Sequence, residues 1–154
     1  MITQDELKAQ VGGDARVSKW FEMSQDKING FADNTEDWQF IHIDPAAAAK
    51  TPFGGTIAHG FLSLSMLSAM SMDCEPAVEG TMMGVNYGFN KVRFVSPVKS
   101  GAKIRAHFAT KSVEEAGGPG RLLVTKDVTV EIEGETKPAF KAEWLAMLFF
   151  GPAK

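Results

Sequence analysis

Asp37 and His42 are the residues of this chain whose types and spacing suit chemistry. They stand five positions apart in the segment Asp-Trp-Gln-Phe-Ile-His-Ile-Asp, which covers residues 37–44. A carboxyl group and an imidazole have ordinary pKa values of about 4 and about 6.5, which bracket the range in which protons transfer easily. Brought close together, the two groups can hold one water molecule and move its protons near neutral pH.

The segment around this pair is irregular in sequence. Residues 36–56 are rich in Asp, Pro and Gly, and Pro45 opens a short alanine turn behind Asp44 as N-cap. Before this segment, helical spacing of apolar residues predicts a helix over residues 25–35, with Ser24 as its cap. Long loops in compact domains are usually lids or binding segments, so we expect a site here.

Residues 57–72 predict one buried helix. They contain no charged residue and are apolar on every side, and a helix of that kind is wrapped by protein. A helix of 16 residues spans about 24 Å, less than the roughly 30 Å of a bilayer core. His59 and four serines argue further against a membrane span.

The rest of the chain predicts strands. Alternating apolar and polar residues, bounded by Gly and Pro, favour an antiparallel sheet with tight turns at 117–120 and 133–135. The last strand becomes apolar on both faces, which is typical of a central strand or a subunit interface. The predicted strands are residues 82–98, 102–113, 122–132 and 137–150, with a short β-like run at 16–24.

Composition limits the classes of protein. A chain of 154 residues with 44% hydrophobic residues predicts one soluble domain over residues 1–154. A net charge of −3 without a basic block gives no reason to expect a nucleic acid partner. The single cysteine, Cys74, allows no internal disulfide, and the N-terminus lacks a signal-peptide pattern. We therefore expect a cytoplasmic protein.

Three segments carry a family resemblance. They are residues 37–44, the Gly-Gly-Thr-Ile-Ala-His-Gly of 54–60, and the Asn-Tyr-Gly-Phe-Asn-Lys-Val-Arg-Phe of 86–94. Together they resemble the MaoC-like (R)-specific enoyl-CoA hydratases, and within them the nodulation protein N branch. The resemblance implies an α+β hot-dog fold, in which a curled antiparallel sheet of about five strands wraps around a central apolar helix.

The resemblance also implies a reaction. Water would add reversibly and syn to a trans-2-enoyl-CoA, giving an (R)-3-hydroxyacyl-CoA, with no cofactor beyond the CoA thioester substrate. By position, Asp37 and His42 would bind the water, and the amide of Gly60 would bind the thioester oxygen. We expect His42 to be the base and Asp37 the donor to C2, although the two titrate as a coupled pair.

Further residues are predicted to bind substrate. Gln39 and Phe40 stand where the family's motif has Asn and Pro, so they change the pocket rather than the reacting pair. Lys91 and Arg93 have two interpretations of similar weight, as solvated strand residues or as partners of a CoA phosphate. The full predicted substrate-binding set is Gln39, Phe40, Ile57, Ser63, Lys91 and Arg93.

Other functions and roles stay open. Asp37 could be only a loop cap, His42 only a buried ring, and His59 a hydrogen bonder that positions the helix start. The chain could bind an acyl-CoA or another ligand without turnover. A thioesterase is disfavoured because residues 57–72 lack an acid. No residue set has metal-ligand spacing, and exposed strand surface would favour a homodimer.

Overall fold

A computed structural model describes residues 1–151, and within them the chain forms six helices and six strands. The helices are α1 Gln4–Ala9, α2 Gln25–Thr35, α3 Phe40–Ile43, α4 Pro45–Ala48, α5 Gly60–Ser65 and α6 Leu67–Cys74. The strands are β1 Arg16–Val17, β2 Phe21–Glu22, β3 Thr81–Phe94, β4 Lys103–Glu115, β5 Arg121–Ile132 and β6 Phe140–Phe150.

All the strands belong to one antiparallel sheet. Its order is β1-β4-β5-β6-β3, and β2 pairs with β4 as well. The predicted turn at 117–120 joins β4 to β5, and β6 lies between β5 and β3. The expectation that the last strand is central is therefore confirmed, whereas β3 pairs with β6 along one edge only.

The core lies between the sheet and the helices α5 and α6. Leu67 and Met70 of α6 are buried in one cluster with Phe108 of β4 and Val130 of β5. These strand residues alternate with more exposed neighbours, so one face of the sheet is apolar and receives the helices. This packing of helices on one face of the sheet confirms an α+β architecture.

The predicted single helix over residues 57–72 is wrong in its bounds. Ile57 pairs with Lys99 as an isolated bridge and donates its amide to Ile41, so the chain is extended there. Helix α5 starts at Gly60, and the helical run is interrupted at Met66, whose ψ of −13° departs from ordinary helical values. Within residues 1–151, no helix is long and apolar enough to cross a membrane.

The expectation that this helical segment is wrapped on all sides is also wrong within one chain. The side chains that point away from the sheet are open to solvent, and Phe61 and Met72 are 69% and 78% exposed. The physical reason is that one sheet face covers only one side of a helix. Apolar surface on the other side of α5 and α6 is left uncovered.

The segment 36–56 is more ordered than its sequence predicts, since it contains the one-turn helices α3 and α4. Asp44 caps α4 with its side chain on the amide of Ala47, and Pro45 is the first helical residue, as predicted. Ser24 caps α2 as predicted. The β-like run at 16–24 is two separate two-residue strands, and the long strands differ from their predicted ends by a few residues.

Candidate active site

His42 lies on the single turn of α3 and is buried. Its Nδ1 atom is 2.7 Å from the carbonyl oxygen of Ile57, in the extended segment that leads into α5. A carbonyl oxygen only accepts hydrogen bonds, so Nδ1 carries the proton and donates it. The neutral imidazole therefore keeps its lone pair on Nε2, which is the form of histidine that acts as a base.

The surroundings of His42 keep it in that neutral form. Burial lowers the pKa of the imidazole, while the hydrogen bond to Ile57 opposes that effect. A charge on His59 lowers the pKa further, and the nearby Asp37 raises it. The net pKa lies below the ordinary value of about 6.5, so the ring is neutral at pH 7.

His59 lies against His42. The two rings are stacked with centroids 3.8 Å apart and planes 25° apart. The Nε2 atom of His59 donates to the main-chain oxygen of Asp37 at 3.0 Å and lies 3.9 Å from a carboxylate oxygen of the same residue. One ligand-type atom from each of Asp37, His42 and His59 falls within 4.8 Å of the other two. The predicted acid, Asp37, and imidazole, His42, are thus brought together, and the imidazole of His59 contacts both residues.

Asp37 is positioned by the end of α2. Glu36 caps that helix in the left-handed conformation, with φ of 60°, and the amide of Asp37 returns to the carbonyl of Ala32 at 3.2 Å. This turn points the chain back towards His59. The Asp37 side chain is 52% exposed and does not line the cavity described next, so it stands beside the site rather than inside it.

A cavity of about 410 Å³ opens next to His42. Its walls come from the segment after α4, from α5, and from the end of β3 with the residues that follow it. Within this lining no side chain carries a charge, so an apolar group would be accommodated next to the single imidazole. The principal lining side chains are Phe53, Ile57, Phe61, Ser63, Phe94 and Phe140.

Gly60 lies in this wall and is the first residue of α5. The amide of a first helical residue has no acceptor inside its helix, so it is free to donate to a bound oxygen. A Cβ atom at this position would lie 3.0 to 3.2 Å from three carbons of the Phe94 ring. The close approach of β3 explains why glycine stands here.

Two of the predicted substrate-binding residues, Ile57 and Ser63, line the cavity together with Gly60. Gln39 and Phe40 do not line it. Gln39 precedes α3 without a side-chain capping bond, and Phe40 is 47% exposed. The main-chain nitrogen of Gln39 donates to the Asp37 carboxylate at 3.4 Å.

Lys91 and Arg93 are not brought into the cavity either. They lie on the outer face of β3, whereas Val92 packs against the core, as strand alternation requires. There they line a separate cleft of about 500 Å³, in which Val95 is shared with the cavity beside His42. The charged residues of that cleft are Lys91, Arg93, Lys111, Asp127, Lys141 and Glu143.

Several residues of the site were not predicted from the sequence. Phe53, Phe61 and Phe94 form much of the apolar wall. His59 was predicted only as a hydrogen bonder at the helix start, and its contacts with Asp37 and His42 were not predicted. For the phenylalanines, the sequence offers no signal that separates a cavity wall from an ordinary core. For His59 a signal exists, since a histidine directly before the helix-opening Gly60 must lie close to whatever the helix N-terminus contacts.

The triad of Asp37, His42 and His59 contains the ligand types that metals use. The two imidazoles are stacked, so their in-plane lone pairs run side by side and do not converge on one ion. The Nδ1 of His42 and the Nε2 of His59 are already committed to carbonyl oxygens. The arrangement fits a bound water better than a metal, and a metal-free site stays a prediction.

Comparison with known proteins adds to this geometry. Residues 6–132 match the family model described as MaoC like domain. The chain is 45% identical over 148 residues to nodulation protein N of Rhizobium leguminosarum bv. viciae, covering 96% of this chain and 91% of that protein. It is 44% identical over 138 residues to 3-hydroxyacyl-thioester dehydratase Z of Mycobacterium tuberculosis, covering 90% of each.

Among solved structures, an (R)-hydratase from A. caviae matches with a TM-score of 0.70 at 22% identity, over 86% of this chain and 94% of that one. An antiparallel sheet with a helical segment packed on its apolar face, alike in these proteins, is the hot-dog fold. The predicted fold is therefore confirmed. The chain belongs to the MaoC-like domain family, and its predicted likeness to nodulation protein N is confirmed by the 45% identity.

Proposed function

We propose that this protein is an (R)-specific enoyl-CoA hydratase. The observation that carries the proposal is that His42 and Asp37 lie close together beside an uncharged cavity. The Nε2 atom of His42 keeps its lone pair, and the amide of Gly60 lies in the cavity wall. The cavity accommodates an acyl chain, the pair handles the water, and the amide donates to the oxygen of the thioester.

The reaction divides among these groups. The water oxygen bonds to C3 of the enoyl thioester while one water proton passes to the Asp37 and His42 pair. The electrons of the C2=C3 bond move to C2 and the thioester oxygen, where the Gly60 amide stabilises the developing charge. The pair then returns one proton to C2 on the same face, so its proton count is unchanged over a turnover.

A CoA thioester is the proposed substrate. Support comes from the name of the mycobacterial relative, which is a 3-hydroxyacyl-thioester dehydratase, and from membership of the MaoC-like family. The cleft around Lys91 and Arg93 holds four cationic and two anionic side chains, and it adjoins the cavity at Val95. A CoA phosphate would find its charge partners there. No cofactor enters the proposed reaction.

We also propose a homodimer. β3 is a long strand with one unpaired edge, and its exposed side chains include Met83, Val85 and Tyr87. An open apolar edge invites pairing with a second copy of the chain, which would also cover the uncovered side of α5 and α6. Sedimentation showing only monomer at micromolar concentration would contradict this. A cytoplasmic location stays a prediction.

Loss of absorbance at the conjugated enoyl-thioester band tests the hydratase proposal. The wild-type protein should hydrate short- or medium-chain trans-2-enoyl-CoA, and Asp37→Asn and His42→Ala should each abolish most of that turnover. Chiral analysis of the product should give the (R)-3-hydroxyacyl form. Absence of hydration across a series of chain lengths, with pure folded protein, would overturn the proposal.

A ligand-binding protein without turnover is the second candidate. It is favoured by the position of Asp37, whose half-exposed side chain stands outside the cavity lining. A binder would give thermal shifts with CoA or acyl-CoA and no loss of the enoyl band. Hydrolysis would instead release free CoA thiol. Asp73, near the end of α6, is tied to the amide and ammonium groups of Lys19, which leaves it unsuited to that reaction.

A further inference from the structure

His59 is among the most enclosed polar residues around the proposed site. It is 2% exposed and does not line the cavity, so it would not touch a substrate held there. One face of its ring is stacked on His42, and Phe31 packs against it with centroids 4.9 Å apart. Its Nε2 donates to the main-chain oxygen of Asp37. A ring with these neighbours has little freedom to move.

His59 contacts two groups whose side chains make no hydrogen bond with each other among residues 1–151. Asp37 follows α2 and His42 lies on α3. The His59 ring therefore contributes to the separation of the carboxylate from the base, together with the main-chain bonds at Gln39. Catalytic groups must be held within a fraction of an ångström, and such precision comes from packed, hydrogen-bonded neighbours.

The hydrogen bond of His59 also fixes its neutral tautomer. Because the Asp37 carbonyl can only accept, Nε2 carries the proton, and Nδ1 is left with a lone pair. That Nδ1 atom is buried and finds no hydrogen-bond partner among the described residues. An unpaired buried acceptor is costly, so its retention in the fold points to a role that a plain core residue would not fill.

We propose that His59 is a positioning residue of the hydratase site, which clamps the Asp37 main chain through Nε2 and holds the His42 ring by stacking. This inference rests on the proposed function for its kinetic consequences, while its structural and titration consequences do not depend on turnover.

The first consequence is kinetic. Since His59 lies outside the cavity lining, its replacement should leave KM for an enoyl thioester within about threefold of the wild-type value. Displacement of Asp37 or His42 by about 1 Å should lower kcat by roughly a hundredfold. A residue that merely filled space would lower the stability without this division between kcat and KM.

The second consequence is a change in titration. The titratable groups that face His42 are His59 and Asp37, since Gln25 and the cavity side chains are uncharged. A charge on His59 lowers the pKa of His42, beyond the larger effect of burial. Removing that imidazole should raise the pKa of His42 and move the acid limb of the rate profile to higher pH.

Two variants separate the roles of the ring. His59→Gln keeps an N–H donor for the Asp37 carbonyl and loses the stacked ring, whereas His59→Phe keeps a ring and loses the donor. We expect kcat to fall further in His59→Phe, and the pKa of His42 to rise in both. His107→Gln is the matched control, because His107 lies on β4, pairs with Glu131 and does not line the cavity.

NMR of the imidazole nitrogens provides the test that needs no substrate. In the wild-type protein, His42 should be the Nδ1–H tautomer and His59 the Nε2–H tautomer at pH 8. Titration should then show a higher pKa for His42 in His59→Gln than in the wild type or His107→Gln. Thermal unfolding confirms that the variants are folded before these values are compared.

The reverse result overturns the inference. If His59 is the Nδ1–H tautomer, or if the pKa of His42 is the same in His59→Gln and wild type, His59 does not contact Asp37 and His42 in the inferred way. Equal kcat values for His59→Gln, His59→Phe and the wild type would remove the positioning role. Should the wild type show no hydration at all, the proposed function fails, and the tautomers and the titration still decide the role of His59.

Discussion

The Nδ1 atom of His42 donates to the carbonyl oxygen of Ile57 across 2.7 Å, so the chain just ahead of α5 decides which nitrogen of the imidazole is free. Ile57 itself is held by its own amide, which donates to the carbonyl of Ile41. The base and the helix that starts at Gly60 are thus joined through a few main-chain bonds. Movement of α5 would move the tautomer-setting oxygen with it.

This relationship predicts the pH dependence of the proposed reaction. Burial keeps the pKa of His42 below about 6.5, so the base form persists at neutral pH and is lost as the pH falls through that lower value. We expect the acid limb of kcat/KM for an enoyl-CoA to have its midpoint below about pH 6.5. A midpoint above this value would contradict the assignment of His42 as the base.

Asp37→Asn should remove activity without harming the fold. The Asp37 side chain is half exposed, and it makes a 3.4 Å bond with the Gln39 amide and a 3.9 Å approach to His59. General acid and base groups contribute roughly a hundredfold to ten-thousandfold, so kcat should fall by that factor. Enoyl-thioester absorbance measures the rate, and circular dichroism should show an unchanged melting temperature.

The control for that change is Asp14→Asn, at an exposed position outside the cavity. It removes the same charge and should keep wild-type turnover. Comparable losses in both variants would mean that the net charge of the protein, rather than the position of Asp37, accounts for the effect.

Gly60→Ala tests whether the thioester oxygen binds beside Gly60. The new Cβ would lie 3.0 Å from the edge of the Phe94 ring. That ring is half exposed and can rotate away, but because it lines the cavity, its rotation would change the shape of the cavity. We expect kcat/KM to fall by roughly tenfold or more, because a changed cavity would weaken the contacts that stabilise the transition state. The free energy of unfolding should change by less than about 1 kcal/mol, because the entropic gain from alanine offsets the contact.

Gly55→Ala provides the comparison for Gly60. A Cβ atom at Gly55 would meet no side chain within 4 Å, and this residue lies outside the cavity lining. Gly55→Ala should keep wild-type kcat/KM. If both substitutions reduce activity alike, flexibility of the segment before α5, and not the space beside Phe94, controls the reaction.

Much of the fold could be predicted from the sequence because its signals are local. Alternation in β4 and β5 follows from burial on one sheet face, and the caps Ser24 and Asp44 satisfy helix amides within three residues. The prediction of a helix over 57–72 was wrong at its start because the first residues form hydrogen bonds with distant parts of the chain. Ala58 donates to Val98, a contact that no local pattern reveals.

The site residues likewise divide into those that the sequence predicts and those that only the structure reveals. Asp37, His42 and Gly60 could be found through their spacing and family resemblance, and the structure brings the first two together. Gln39 and Phe40 are exposed and lie outside the cavity lining, at the turn between Glu36 and α3, and their predicted contact with substrate stays a prediction. A hydrogen-bonding role for His59 was predicted, but its partners, the Asp37 carbonyl 22 positions away and the stacked His42 ring, appear only in three dimensions.

Arg93→Ala tests the outer cleft. Its side chain is exposed and donates to the neighbouring Val92 carbonyl, and among residues 1–151 it forms no ion pair that the change would break. If the cleft holds a CoA phosphate, KM for an enoyl-CoA should rise by roughly tenfold while kcat changes little, because the phosphate is remote from the reacting carbons. Lys8→Ala, on the exposed side of α1, is the charge-matched control. An unchanged KM removes Arg93 from the site.

The ion pair between Glu75 and Lys126 gives a prediction on stability that is separate from the proposed reaction. Their side chains are only 13% and 12% exposed, Ser71 donates a further hydrogen bond to Glu75, and the pair lines a cavity of about 510 Å³ among apolar residues. Glu75→Gln leaves the ammonium enclosed without its counter-charge, which should cost about 3 kcal/mol in the free energy of unfolding by urea.

Removing both charges should reverse most of that loss. In Glu75→Gln with Lys126→Met, neither residue carries a charge that needs a partner, and the methionine side chain packs against the Phe108 ring over which the lysine now lies. We expect the double variant to regain more than half of the lost free energy, while Glu79→Gln, at an exposed position, changes it little. A double variant as unstable as Glu75→Gln would show that the carboxylate acts through Ser71 and the end of α6 rather than through Lys126.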